Sequence, residues 1–260
     1  MINVMINSPF LIVGFIMALT YALRFRKHHG FSVLQMLIFI PVALGLDLLG
    51  ERLLYFFNYG SWGGHFFYGG VMLLPLFIVP LILVLRMNYL KSTDLLAIVS
   101  MAVRWIAKIG NCGIIRGCCG GIELFEFNGE MITFPSQVVE GLTLLVMGLL
   151  FIKLSKNEKY RGLIYGYYYI IYGITRAIFE SLRIDEKVYQ FGVPVAQFWC
   201  LIIIGLGIAW LILVPLYKKK SKRYIGIIEK EKQLEEELEK VEDLEKIRKQ
   251  KQKQAKQKSK

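Results

Sequence analysis

The sequence predicts an all-α polytopic membrane protein with about seven transmembrane helices, and three observations predict it. Hydrophobic residues make up 55% of the chain and the mean hydropathy is +0.47, too apolar for an ordinary water-soluble domain. The apolar residues come in runs that approach the roughly 20 needed to cross a hydrocarbon core of about 30 Å. Lysines and arginines gather after alternate runs, as cytoplasmic segments do. Arg24, Arg26 and Lys27 follow the first run; Arg86 and Lys91 the third; Lys153, Lys156, Lys159 and Arg161 the fifth; Lys218 to Lys220, Lys222 and Arg223 the seventh. That alternation puts the N-terminus outside and the C-terminus in the cytoplasm.

The first run, 7–23, has no basic segment before it and outlasts a signal peptide's apolar core, so it reads as an uncleaved span. The second, 32–50, ends in the sequence GLDLLGERLLYFFNYG, which places Asp47, Glu51 and Arg52 at its outer end. Arg52 either pairs with Asp47 or Glu51 or faces a phosphate. The loop SWGGHFFYGGVM, 61–72, sets two Gly-Gly pairs around His65 and Tyr68. Backbone amides of Gly69 and Gly70, at the start of the third run (68–87), suit an anion, the alternative being a tight turn before a helix. The fourth run, 92–109, is interrupted by Arg104 and Lys108 in its second half.

Residues 104–131 form the longest segment outside the runs and hold Cys112, Cys118 and Cys119; Cys200 lies in the seventh run. A spacing of Cys-x5-Cys-Cys matches no common zinc pattern, so no metal site is expected. A disulfide within the trio, or apolar packing, remains. The fifth run, 132–152, opens with FPSQVVEG: Pro135 suits a helix's first turn, and Ser136, Gln137 and Glu140 put polar groups at the membrane edge.

The sixth run, 162–180, ends in the chain's densest chemistry, YGITRAIFESLR. Tyr172, Arg176, Glu180 and Arg183 recur at four, four and three residues, so on a helix they stack along one face, with Arg176 and Glu180 close enough to pair. Charges inside a bilayer cost a few kcal/mol and face a protein-lined cavity. With Arg52, Arg104 and Lys108 they gather cations toward the outer leaflet, which suits an anionic ligand or, residue by residue, snorkelling to headgroups. The seventh run is 194–217.

The chain therefore divides into a membrane domain, 1–217, and a basic, Lys/Glu-rich cytoplasmic tail, 218–260, helical or disordered. The tail accounts for +7 of the net +12: 16 Lys plus Arg less 9 Asp plus Glu. Set aside with the positive-inside loops, it leaves no argument for nucleic acid.

The motifs together resemble the bacterial prolipoprotein diacylglyceryl transferases, over residues of about 10 to 212. Gly50, Arg52, Leu53 and Tyr55 fit the family's pattern after the second span; Gly63, Gly64, Phe67, Gly69 and Gly70 its double Gly-Gly loop; Ile109, Gly110 and Asn111 its signature core; Pro135, Ser136, Gln137 and Glu140 its proline-serine-glutamine segment; Tyr172, Gly173, Arg176, Glu180 and Arg183 its most recognisable block. The resemblance implies a multi-pass enzyme of the bacterial plasma membrane, needing no cofactor. It would move a diacylglyceryl group from phosphatidylglycerol to the lipobox cysteine of a preprolipoprotein, amid membrane lipids. Tyr68 stands where the family has a histidine, and Lys108 where it has an arginine.

The catalytic group implied is Arg176, Tyr172 and Glu180, with Tyr68 or His65 as proton acceptor. Arg52, Gly69, Gly70, Lys108, Asn111, Gln137 and Arg183 are expected to bind substrate. The alternatives are a paralogue with another acceptor and a non-catalytic protein that binds anionic lipid; the missing histidine and arginine favour the latter. A transporter is disfavoured by the absence of an internal repeat.

Overall fold

A computed structural model describes residues 9–64, 66–110, 123–127, 130–133, 135–182, 189–190 and 192–221. The first helix, α1, runs Pro9–His29. The second, α2, runs Val33–Tyr59 and starts in a capping box: the Ser32 hydroxyl accepts from the Gln35 amide, and the Gln35 side chain from the Ser32 amide. Gly60 ends it in a left-handed turn, φ 64°, donating to the Phe56 carbonyl. Asp47, Glu51 and Arg52 are thus inside a helix and not at its end, a correction to the sequence reading. The run lost its apolar character near residue 50, but the helix continued because the charges of Asp47 and Glu51 are met by another helix.

The third apolar run folds as α3, Phe67–Phe77, and α4, Val79–Val84. Pro80 falls at the start of α4, where its missing amide costs nothing. Asn88 caps α5, Tyr89–Ala107, and the chain then widens into a π turn over 108–110, a local irregularity common at functional sites. Two strands, β1 (Glu123–Phe127) and β2 (Glu130–Thr133), pair antiparallel. The fifth run therefore starts later than the expected residue 132: β2 takes its first residues, and α6 is Ser136–Ser155 with Pro135 as its cap. The sixth run is α7, Ile164–Ser181. A second hairpin, β3 (Tyr189–Gln190) and β4 (Val193–Pro194), precedes α8, Val195–Ser221.

The chain divides into two compact units, Met1–Leu211 and Ile212–Lys260. In the first, the core holds Tyr165, Tyr168, Phe39, Phe151 and Met36, all fully buried. Hydroxyls of Tyr165 and Tyr169 donate to the carbonyls of Val71 and Met72, 2.9 and 3.1 Å away, pinning α7 to α3. The start of α7 is held from α5: the buried Asp94 carboxylate accepts from the amides of Gly162 and Ile164. Where α2 and α3 cross, Gly50 and Gly69 face each other, and a Cβ on Gly50 would lie 2.8 Å from the Gly69 carbonyl oxygen.

Large apolar side chains also cover the outside: Val84 is 79% and Val146 66% exposed. Four helices, Val33–Tyr59, Phe67–Val84, Ser136–Ser155 and Val195–Ser221, are long and apolar enough to cross a bilayer. Exposed apolar faces on helices whose backbone polar groups are satisfied internally are those of a membrane protein.

Candidate active site

Four charged residues organise the site. Arg176, on α7, is 7% exposed. Its Nη1 donates to both oxygens of Glu140 on α6, 3.1 and 2.9 Å away. Its Nη2 lies 2.7 Å from Glu180, one turn on, and its Nε donates to the Tyr68 hydroxyl at 3.3 Å. Lys108, in the π turn after α5, donates to Glu140 Oε2 at 2.9 Å and to Gln137 Oε1 at 3.2 Å. One carboxylate is thus shared by two cations from two helices, giving a row Lys108, Glu140, Arg176, Glu180 of alternating sign. Such a row is tolerable away from water because the desolvation cost of each charge is offset by close, charge-assisted bonds.

Helix periodicity explains who faces inward. Tyr172, Arg176 and Glu180 fall at intervals of four on α7, and Tyr172 and Arg176 are buried. Ser136, Gln137 and Glu140 share the buried face of α6. Tyr68 is the second residue of α3, and its hydroxyl accepts from both Arg176 and, at 3.5 Å, the Cys200 thiol on α8.

A second charged layer lies beneath. Arg104, one turn before Lys108, donates to both oxygens of Asp47, 2.9 and 3.0 Å away, and lies 3.7 Å from Glu51. Its guanidinium sits 5.6 Å from the Phe67 ring centre and 5.9 Å from that of Tyr172, within cation–π range. Lys108 Nζ is also 5.6 Å from the Phe67 ring.

Of the residues expected to matter, the structure brings Tyr68, Lys108, Gln137, Tyr172, Arg176 and Glu180 together. Arg52 is half-buried on α2 and, among the described residues, joins no ion pair; Arg104 takes the carboxylates that Arg52 was weighed against. Gly69 and Gly70 lie buried at the α2 crossing, and the Gly69 amide is already given to the Phe66 carbonyl at 2.9 Å. His65, Asn111 and Arg183, like Cys112, Cys118 and Cys119, lie outside the described residues. Among the described residues no three His, Cys, Asp or Glu side chains converge as metal ligands.

Sequence reasoning placed Glu140 at the membrane edge in the proline-serine-glutamine segment and Arg104 among the cations suited to an anionic ligand, but paired neither with a partner, and left Cys200 without a role. The signal for Glu140 and Arg104 was present: an isolated charge in an apolar helix needs a partner in the same layer.

The residues of both charged layers lie within the region that the comparisons match. The family model for prolipoprotein diacylglyceryl transferase matches residues 2–213. The phosphatidylglycerol–prolipoprotein diacylglyceryl transferase of Streptococcus pneumoniae, Spain 23F-1 strain, is 27% identical over 251 residues, covering 85% of this chain and 92% of the relative. That of the Hungary19A-6 strain is 27% identical over 244 residues, covering 83% and 90%. Since the matched region contains both charged layers and the helices that carry them, the chain belongs to the prolipoprotein diacylglyceryl transferase family.

Proposed function

We propose that this protein transfers a diacylglyceryl group from phosphatidylglycerol to the thiol of a preprolipoprotein's lipobox cysteine. It does so as a multi-pass protein of the bacterial plasma membrane, crossing about seven times with its N-terminus outside and its C-terminal tail, 218–260, in the cytoplasm. The observation that carries the reading is Arg176: a buried guanidinium held by Glu140 and Glu180, with Nε on the hydroxyl of the residue in the family's histidine position.

The reaction forms a bond from sulfur to the terminal glycerol carbon and breaks that carbon's bond to the phosphate oxygen. Glycerol phosphate leaves with the electron pair, and the thiol proton must go to a base. Arg176, Lys108 and Arg52 are the groups proposed to meet the growing negative charge on the phosphate. Glu180 is the more exposed of the two carboxylates on Arg176, 15% against 3%, and is the one that would give way to a phosphate oxygen. Tyr68, whose hydroxyl accepts from Arg176, or His65, is the proposed proton acceptor. Gln137 holds Lys108 in place, and Tyr172 packs beneath the substrate. Asn111 and Arg183 are kept as headgroup contacts, and Gly69 and Gly70 as the close helix crossing that presents Tyr68.

The test is mass spectrometry of a lipobox peptide incubated with the purified protein and phosphatidylglycerol in detergent. A diacylglyceryl mass gain that disappears in Arg176→Ala supports the transfer. Full activity in a His65→Ala, Tyr68→Phe double variant removes both from the base role. A second reading, a lipid-binding protein without catalysis, is favoured by Tyr68 and Lys108, which stand where the family has a histidine and an arginine. Phosphatidylglycerol binding without any mass gain would establish that reading or a different acceptor.

A further inference from the structure

We infer that Arg104, held by Asp47 and Glu51, is a positioning residue for the transfer: one guanidinium that sets the three helices of the site against one another. The inference rests on the proposed activity. None of the motifs that carry the family resemblance includes Arg104 or Asp47.

The geometry is specific. Arg104 stands on α5, one turn from Lys108, so whatever fixes its side chain also fixes the direction from which Lys108 approaches Glu140. Its Nη2 forks onto both oxygens of Asp47, and Nη1 faces Glu51, one turn further along α2. Arg52 follows Glu51 directly, so the same contact sets where that cation stands. The guanidinium carbon of Arg104 lies within cation–π distance of two rings: Phe67, which precedes Tyr68 at the start of α3, and Tyr172, one turn before Arg176 on α7. Arg104 therefore touches α2, α3 and α7 at positions adjoining Arg52, Tyr68 and Arg176, and shares a helix with Lys108. A spare structural salt bridge needs no such placement. Only a guanidinium presents one nitrogen to Asp47 and a second to Glu51 while its delocalised charge lies near two rings; an ammonium is a point charge. The Asp47 carboxylate also lies against Gly70, where a Cβ would meet it, which ties the ion pair to the α2–α3 crossing.

The experiment measures kcat and KM for phosphatidylglycerol in the peptide transfer assay, together with the thermal midpoint in detergent. It uses the full-length wild type, Arg104→Lys, and the triple variant Arg104→Met, Asp47→Asn, Glu51→Gln. The triple variant removes the cation and both carboxylates together, so neither side of this ion pair is left facing the other's absence. We expect it to fold and to hold KM within about threefold while kcat falls about a hundredfold, the cost of misplaced reacting groups. Arg104→Lys, which retains the charge, loses roughly tenfold in kcat. Wild-type kcat in the triple variant would show that Arg104 only neutralises its carboxylates and would overturn the inference. A raised KM with kcat intact would overturn it too, making Arg104 a binding group. If the triple variant does not fold, Arg104→Lys decides: full kcat refutes positioning, and a loss in kcat at an unchanged thermal midpoint supports it. A wild type that binds phosphatidylglycerol but transfers nothing refutes the activity and this inference with it, an outcome separate from active variants in an active wild-type background.

Discussion

Arg176 on α7 reaches both carboxylate oxygens of Glu140 on α6, 3.1 and 2.9 Å away, across 36 positions of sequence. Glu140 also accepts from Lys108 at 2.9 Å, so a single carboxylate is shared by two cations from two other segments. Removing it takes a close carboxylate from both, leaving Arg176 with Glu180 at 2.7 Å. Glu140→Gln keeps the shape but not the charge, and should destabilise the protein by about 3 kcal/mol or more, the cost of breaking a buried pair from one side. It should also abolish transfer, because Lys108 and Arg176 no longer converge. Chemical unfolding in detergent and the peptide assay read the two effects separately; a variant of unchanged stability would mean that Glu140 is not the shared partner.

Asp94 makes a different kind of prediction, since its role is local. The carboxylate accepts from the amides of Gly162 and Ile164, the latter at 3.0 Å, at the start of α7, and Gly162 holds a left-handed φ of 78°. Asp94→Ala leaves two buried amides unsatisfied and should lower stability by about 2 kcal/mol or more. Asp94→Asn, which retains one acceptor oxygen, should lose about half as much. Equal losses in the two variants, measured by thermal unfolding, would argue against the cap.

The pairing of Arg176 with Glu180 was legible in the sequence because spacing of four on one helix is a local property. Glu140 and Lys108 were not assigned to Arg176 because which helix faces which is decided by packing, and apolar periodicity does not encode rotation about a neighbour's axis. Asp47 shows the opposite failure. Hydropathy ended the second run near residue 50, whereas the helix ends at Gly60, where the left-handed residue and its capping bond stop it. The glycine after YFFNY was a usable stop signal. It was outweighed by charges taken to mark the membrane edge, which Arg104, 57 positions on, in fact neutralises inside the fold.

The α2–α3 crossing offers a test by contrast between two glycines. A Cβ on Gly69 would collide with the Gly50 carbonyl and lie 2.6 Å from Leu54 Cβ, backbone and rigid atoms that cannot swing aside. Gly45, also in α2, has nothing within 4 Å of its Cβ position. Gly69→Ala should therefore cost about 1–3 kcal/mol or more by forcing the helices apart. Gly45→Ala should be neutral or stabilising by up to about 1 kcal/mol through helix propensity. Comparable thermal midpoints for the two variants would show that the close approach is not required.

His29 carries the pH dependence that the structure allows to be argued, because it lies past the first apolar run and its basic flank, at the end of α1. It is 5% exposed, its ring stacks 6.2 Å from that of Phe31, and its Nε2 has no hydrogen-bond partner among the described residues. Burial, with the nearby charges of His28, Lys91 and Arg161, lowers its pKa from 6.5 to about 4. The folded protein therefore holds this imidazole neutral, while the unfolded chain takes up a proton below about pH 6.5. The stabilisation is fully present above that pH and is lost as the pH falls toward 4, by up to roughly 3 kcal/mol from this group. His29→Phe, which fills the site with a ring that cannot titrate, should flatten the fall in thermal midpoint between pH 7 and pH 4.5. An equally steep fall in the variant would assign the acid sensitivity to other groups.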